Sequence, residues 1–316
     1  MILMALPLLR ILRPALLLAL LVLLGGGVLV AVLPRRRGAM AADERQYPGL
    51  AALRRTTVTC RTVAVAVGIA AVSAVVATGG LGVGAALAPA TFAVVQVVGV
   101  LVADVLTRES ARRPGSASLE VRQVRDYLPR GLTRVVGVLA AVLLGALAWT
   151  AAVAGPDDLG RAGRALAYTC AQGCDAGAHT PWPGSFYAVP MALGLVLLLG
   201  LGALAVRGTV RRPRDGSDEQ LVRVDDAVRR RSVESVVAAV GIALAAGLLG
   251  IGLAAGAPVL ADAHVPGSLR AGAGVLVVSG LAATPVLVWC VLVLLFPVAT
   301  ATPGRQADTV RLGAPA

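Results

Sequence analysis

The sequence predicts an all-α integral membrane protein with about seven transmembrane helices, arranged as one N-terminal anchor followed by three helical hairpins. Of the 316 residues, 57% are hydrophobic and only 15% are charged, and the mean hydropathy is +0.82. Soluble globular domains contain about 25% charged residues, so this composition excludes a soluble enzyme and a disordered chain. Seven apolar stretches of about 20 residues each are long enough to cross the hydrocarbon core of a bilayer.

The first apolar stretch covers residues 14–33. We interpret it as a retained anchor rather than a cleaved signal peptide, because its apolar run is longer than the apolar region of a signal peptide. The other six spans are predicted over residues 62–78, 86–106, 135–154, 187–206, 235–256 and 271–296. Since the loops between them are too short to form a core of their own, residues 1–316 are predicted to form a single polytopic membrane domain with no separate soluble domain.

The distribution of arginine predicts the orientation. All 29 basic residues are Arg, and alternate loops hold 24 of them against five on the other side. Cytoplasmic loops of membrane proteins are enriched in basic residues. Although Arg10 and Arg13 precede the first span, the three arginines at 35–37 follow it directly and outweigh them. We therefore expect a multi-pass protein of the plasma membrane with its N-terminus outside and its C-terminus in the cytoplasm.

Missing residue types limit the chemistry that the chain can perform. The sequence has no Lys and no Asn, which is typical of a GC-rich bacterial genome. Without Lys there is no P-loop and no Schiff base to retinal or pyridoxal phosphate. Both His residues fall in predicted outer loops, and no paired carboxylates lie at membrane depth. The sequence therefore predicts no enzymatic activity, no cofactor and no metal.

Two arginine-rich segments, residues 121–134 and 221–234, repeat an apolar pattern at a spacing of 100 residues. Their periodicity predicts short amphipathic helices at the inner headgroup layer. The arginines expected to face anionic lipid or a partner are Arg122, Arg125, Arg130, Arg223, Arg229, Arg230 and Arg231. The expected partners are anionic lipids of the inner leaflet and a membrane or cytoplasmic protein. Nucleic acid is not expected, because acids interrupt the arginines and the two segments hold a single aromatic residue rather than a series on which bases could stack.

The predicted outer loop 155–186 contains Cys170 and Cys174. Two cysteines four residues apart on a helical turn or tight loop can form a disulfide on an oxidising side of the membrane. A metal site that combines these cysteines with His179, and with Asp262 or His264 from the last outer loop, is the alternative.

Polar and helix-breaking residues inside the spans are the remaining candidates for function. Gln96 lies in the middle of the third span, and Asp104 lies near its inner end, four residues before Arg108. Gln96 is expected to bond a neighbouring helix. Pro89 and Pro285 interrupt the helical hydrogen bonds of two spans, and such breaks line the substrate sites of some transporters.

These features favour a non-enzymatic subunit or accessory of a larger membrane assembly. The alternative is a stand-alone transporter or exporter of an apolar or cationic small molecule, without ATPase activity. A third hypothesis is a sensor built on Cys170 and Cys174.

Overall fold

The computed structural model describes residues 48–110, 123–170, 175–211 and 219–295. Within these ranges, six helices are long and apolar enough to cross a membrane, as expected for an all-α membrane protein. They contain the six spans predicted after the anchor, apart from residues 153–154 at the end of the span 135–154 and residue 296, which lies outside the described residues. The predicted first span, residues 14–33, lies outside the described residues.

The elements follow one another as α-helices with one short β-hairpin. The helices are α1 (Pro48–Thr78), α2 (Val83–Ser110), α3 (Val124–Tyr127), α4 (Arg130–Ala152), α5 (Ser185–Arg211), α6 (Glu219–Ile251), α7 (Ala257–Ala261) and α8 (Gly267–Leu295). A 3-10 turn, Gly80–Gly82, joins α1 to α2, and a π-helical turn, Gly252–Gly256, joins α6 to α7. The hairpin consists of β1 (Leu166–Thr169) and β2 (Ala176–His179), which pair antiparallel.

Helix α6 is the centre of the bundle. In the most apolar part of the span Asp225–Ala261, 78% of the residues are buried, against 11–33% for the other five spans. Val233, Ala238 and Leu244 on this helix are completely buried. Because the helix is apolar on all sides over this stretch, it can be enclosed by other helices. The other five spans expose large apolar side chains on their outer surfaces.

The two ends of the bundle differ in their polar residues. The cap end carries the 3-10 turn, the β-hairpin with its flanking loops and the turn between α7 and α8. At the arginine end, α1, α4 and α6 begin and α2, α5 and α8 end. The contacts described below place Arg61, Arg229 and Arg231 at this second end.

The structure corrects the prediction of two equivalent amphipathic helices. Residues 124–127 form only a single turn, because Pro129 follows and Leu128 before it is extended, with ψ 127°. A residue before proline disfavours helical geometry. No proline interrupts residues 221–234, which are the first turns of the continuous helix α6. The apolar pattern repeats, but the secondary structure does not.

Candidate functional site

The cap end is built around a buried ion pair between Asp157 and Arg164. Arg164 Nη1 donates to Asp157 Oδ2 at 2.8 Å, and the two side chains are only 7% and 1% exposed. Asp157 also accepts hydrogen bonds from the backbone N–H groups of Leu159 and Arg161, and from Arg161 Nε at 2.8 Å. Burial acts to raise the pKa of Asp157, but these hydrogen bonds outweigh it and lower the pKa below its ordinary value. The loop that leads into β1 is therefore held by a carboxylate that accepts four hydrogen bonds.

Aromatic side chains attach this loop to the helices. Trp182 is completely buried and donates through Nε1 to the carbonyl oxygen of Thr150 at 2.9 Å, on α4. Tyr187 accepts from Arg164 at 3.2 Å and donates to the carbonyl oxygen of Leu81 at 2.6 Å, in the turn between α1 and α2. Hydrogen bonds thus attach the cap loop to the end of α4, to the 3-10 turn between α1 and α2, and to the start of α5.

The β-hairpin presents Tyr168 and His179 on one face. Tyr168 pairs with Gly177 across the strands, so His179 is its diagonal neighbour. The two rings stack with their centroids 5.7 Å apart. A Cβ at position 177 would lie 2.6 Å from the Tyr168 ring. Glycine is therefore required there for the tyrosine ring to cross the partner strand.

Asp262, in the turn between α7 and α8, collects the polar groups of this end. Tyr168 donates its hydroxyl to Asp262 Oδ2 at 2.8 Å, and His179 Nε2 lies 3.0 Å from the same oxygen. His264 contacts the other oxygen, Oδ1, through its backbone N–H at 2.9 Å and its Nδ1 at 3.0 Å. We call Tyr168, His179, Asp262 and His264 the Asp262 cluster. It joins the hairpin to the last helical pair.

The electrostatics of the Asp262 cluster favour an ionised carboxylate. The backbone N–H of His264, the Tyr168 hydroxyl and the His264 ring lower the pKa of Asp262 well below its ordinary value. The hydrogen bond to Asp262, together with partial burial, raises the pKa of Tyr168. His264 is 57% exposed, whereas His179 and Asp262 are 24% and 23% exposed. The cluster can offer a fixed negative charge and an imidazole to a molecule that approaches the cap end.

The cysteines expected in this region lie beside the hairpin. Cys170 is disulfide-bonded, and its backbone N–H donates to the carbonyl oxygen of Asp175 at 3.4 Å. Cys174 lies outside the described residues, so its pairing with Cys170 stays a prediction. The hairpin nevertheless brings Cys170 next to Asp175, the residue that follows Cys174. Cys60 and Cys290 are free thiols.

The alternative metal site combined residues from both loops, and the structure brings three of them together: His179, Asp262 and His264. Within the described part of the chain, no group of three or more His, Cys, Asp or Glu side chains is arranged to hold a metal ion. The three residues are instead bonded directly to one another.

At the arginine end, Arg229 is completely buried, which corrects the expectation that it faces lipid or a partner. Its Nε donates to Asp225 Oδ2 at 2.7 Å, and its Nη1 donates to the carbonyl oxygens of Thr209 and Val210 at 3.3 and 3.1 Å. These carbonyls belong to the last turn of α5, where helical partners are missing. Arg229, on α6, therefore caps the C-terminal end of α5 by binding its free carbonyl oxygens. The apolar periodicity of the sequence could not predict this contact.

Asp104 is also buried, at 3% exposure, and accepts a hydrogen bond from the Thr209 hydroxyl. It thus connects α2 to the same turn of α5 that Arg229 closes. The sequence suggested Arg108 as its local partner, and the side chain of Arg108 lies outside the described residues.

The other predicted residues are distributed over the bundle. Gln96 is buried and donates to the carbonyl oxygen of Ala64 on α1 at 3.0 Å, the type of interhelical bond expected for it. Pro89 lies in α2 and lines an apolar cleft, and Pro285 lies in α8. Arg125, Arg130 and Arg230 are exposed, whereas the Arg231 side chain is only 13% exposed. The side chains of Arg122 and Arg223 lie outside the described residues.

Sequence reasoning missed Tyr168 and the Asp157–Arg164 pair. The two arginines of loop 155–186, near three acids, were visible in the sequence. However, their pairing depends on a turn that residue spacing does not specify. The tyrosine could have been found only by recognising β1, whose four residues are too few for a clear alternation.

Comparisons with known proteins give no relative from which a role could be transferred: the chain matches no protein family, no curated protein and no solved structure.

Proposed function

We propose that the chain is a non-enzymatic subunit or accessory of a larger bacterial membrane assembly, and that the cap end is the surface it offers to a partner. The observation that supports this is the separation of an apolar centre from a polar cap end within the bundle. The centre is filled by the apolar helix α6. The cap end, in contrast, is held by a buried ion pair and carries the partly exposed Asp262 and His179.

The construction of the cap fits recognition. Asp262 and His179 are held by fixed hydrogen bonds and are about one quarter exposed. Groups that are already ordered lose less conformational freedom when a partner binds. A partner that carries a hydrogen-bond donor or a positive charge can therefore bind Asp262 without reorganising the cap.

The proposed topology places the cap end outside the cell and the arginine end in the cytoplasm, with residues 14–33 as a seventh span. The excess of arginine in the loops of one side supports this orientation. Anionic lipids of the inner leaflet and a membrane or cytoplasmic protein are the proposed partners at the arginine end.

The test is to extract the tagged full-length protein from host membranes directly into lipid nanodiscs and to determine the composition of the particles by native mass spectrometry. We expect a second polypeptide in a fixed ratio to the 31.8 kDa chain. Asp262→Asn should reduce its recovery, whereas Asp158→Asn, an exposed acid of the same end, should not. Particles that contain only this chain would contradict the proposal.

A second candidate function, a transporter or exporter of an apolar small molecule, is favoured by the cleft beside Pro89. Met191 on α5 and Leu143 on α4 line this cleft together with Ala243 on α6. A proline leaves a helical carbonyl without its usual donor, and Met side chains adapt to varied ligands. Export of apolar dyes from cells expressing the chain tests this candidate. Ala243→Leu, which fills the cleft, should abolish export, and unchanged export would reject the role of the cleft.

A further inference from the structure

A cluster of charged residues lies where α1, α6 and α8 meet at the arginine end. Arg61 on α1 donates through Nη2 to the Ser235 hydroxyl and to the carbonyl oxygen of Arg231, the latter at 3.3 Å. Arg231 on α6 donates through Nη2 to the carbonyl oxygen of Val293 on α8. Glu234 completes the group, and we call Arg61, Arg231, Glu234 and Ser235 the Arg61 cluster.

The Arg61 cluster has more positive than negative charge. Two guanidinium groups lie near one carboxylate. Arg231 Nη1 forms an ion pair with Glu234 Oε2 at 3.6 Å, a distance too long for a hydrogen bond. Arg230, which is exposed, lies within electrostatic reach of the same carboxylate. The single carboxylate of Glu234 therefore cannot neutralise both guanidinium groups, and these two groups repel each other.

Donors in the cluster also lack acceptors. Three buried nitrogens, Arg61 Nε, Arg231 Nε and Arg231 Nη1, have no hydrogen-bond partner among the described residues. Buried polar groups in folded proteins are almost always paired, and an uncompensated buried charge is strongly unfavourable. An anion with several oxygens would supply both the missing charge and the missing acceptors.

The position of the cluster indicates which anion is available. Arg61 lies seventeen residues before Thr78, the cap end of α1, a distance of about 25 Å along the helix. The hydrocarbon core of a bilayer is about 30 Å thick, so Arg61 lies close to the headgroup layer at the arginine end. Among the six described spans, α1 is also the most exposed, with only 11% of its most apolar part buried. Lipid headgroups therefore have access to this corner of the bundle.

We propose that the Arg61 cluster binds the phosphate of one anionic phospholipid, with Arg61 and Arg231 as its cationic ligands and Glu234 as a carboxylate that limits the affinity. Guanidinium groups bind phosphate oxygens through paired hydrogen bonds, and basic pockets between transmembrane helices bind lipid headgroups. Such a lipid would join α1, the least enclosed span, to α6 and α8. The site specifies one place at which the anionic lipids proposed above as partners of the arginine end would bind, and it does not depend on the subunit role proposed for the cap end.

The test is native mass spectrometry of the delipidated full-length protein in mild detergent, titrated with phosphatidylglycerol or with phosphatidylcholine of the same acyl chains. We expect one tightly bound phosphatidylglycerol per chain and weaker binding of phosphatidylcholine. Arg61→Gln should weaken the binding of phosphatidylglycerol about tenfold, since it removes a charged hydrogen-bond donor. Arg55→Gln, an exposed arginine of the same helix, should change it by no more than about twofold.

The substitution of Glu234 separates ligand binding from a purely structural role. Glu234→Gln should tighten the binding of phosphatidylglycerol several-fold, because it removes the competing negative charge; unchanged or weaker binding would overturn the proposal. Should Arg61→Gln fail to fold, Arg61→Lys keeps the charge but not the paired donors, and intermediate affinity is expected. Equal binding of both lipids would reject an anionic headgroup site. Displacement of the lipid by inorganic phosphate at equal concentration would assign the site to free phosphate instead.

Discussion

Asp262 shows how one carboxylate organises an entire end of the molecule. Its two oxygens receive the Tyr168 hydroxyl, the His179 ring and both the backbone and the ring of His264. These contacts come from three separate stretches of chain, two in the hairpin and one in the turn between α7 and α8. Because each donor prefers the ionised carboxylate, the bonds that hold the cap together also hold the charge on Asp262.

The bond between Tyr168 and Asp262 has a measurable consequence. We predict that Asp262→Asn lowers the pKa of Tyr168 towards the ordinary tyrosine value of about 10, because the negative acceptor that opposes loss of the phenol proton disappears. The measurement is an absorbance titration of tyrosine ionisation at alkaline pH, with Tyr168→Phe identifying the signal of this residue among the four tyrosines. An unchanged titration in Asp262→Asn would contradict the hydrogen bond.

The histidines and Asp262 also show what the sequence could predict about the site. The two outer loops, and their ability to contribute residues to one site, follow from the order of the spans. The direct contacts do not, because they depend on a β-hairpin whose strands are four residues each. The burial of Arg229 was unpredictable for a similar reason: its acceptors are carbonyls of another helix, which carry no side-chain signal.

At the scale of elements, the contact between α6–α7 and α8 depends on glycine. A Cβ at Gly252 would lie 2.7 Å from the carbonyl oxygen of Leu276, and one at Gly256 would lie 2.9 Å from that of Ala273. Both glycines belong to the π-helical turn. The spacing small-x-x-x-small is common by chance in a chain with 37 glycines, but here it marks a close approach of two backbones.

We predict that Gly252→Ala destabilises the bundle by about 1–3 kcal/mol, because the added methyl group meets rigid backbone rather than a movable side chain. Gly250→Ala is the matched control: no described atom of a neighbouring helix lies within 4 Å of its Cβ position, and alanine is the better helix former by about 0.5–1 kcal/mol. Equilibrium unfolding in mixed micelles, followed by tryptophan fluorescence, compares the two. Equal stability of both variants would mean that α8 can move away from the π-helical turn without lowering the free energy of unfolding.

Helix α6 marks the limit of pattern-based prediction for elements. Its apolar stretch was predicted over 235–256; residues 235–251 lie in α6, and residues 252–256 form the π-helical turn that follows it. The preceding arginine-rich turns were assigned to a separate helix because their apolar stripe resembles that of residues 121–134. A stripe on one face is compatible with lying on a membrane and with packing against other helices. Pro129 distinguishes the two segments, since it separates α3 from α4.

At the scale of the whole molecule, hydropathy predicted the six described spans because lipid requires every backbone group to be bonded within a helix. That requirement is why the length and apolarity of a segment identify it as a candidate span. It does not determine which helix is central. Among the described spans, the most apolar one, Asp225–Ala261, is also the most buried. However, Ser185–Arg211 is almost equally apolar, so apolarity could not have identified the central helix.

Orientation is the property of the whole molecule that the distribution of arginine predicts. Exposed positions at the two ends of the bundle, Asp158 in the cap and Arg230 at the arginine end, provide matched reporters. We predict that Asp158→Cys reacts with a membrane-impermeant maleimide in intact cells, whereas Arg230→Cys reacts only after the cells are permeabilised, because the side with 24 arginines is retained in the cytoplasm. The host for both variants is a chain with Cys60→Ala and Cys290→Ala.

That background chain supplies the control and tests the remaining cysteines. With Cys60 and Cys290 replaced, labelling of intact cells should be absent before reduction and should appear after it, as expected for a Cys170–Cys174 disulfide on the outer side. Labelling of Arg230→Cys without permeabilisation, together with protection of Asp158→Cys, would reverse the orientation. It would then place the Asp262 cluster in the cytoplasm, where an oxidised Cys170 is not expected to persist, so the two results must agree.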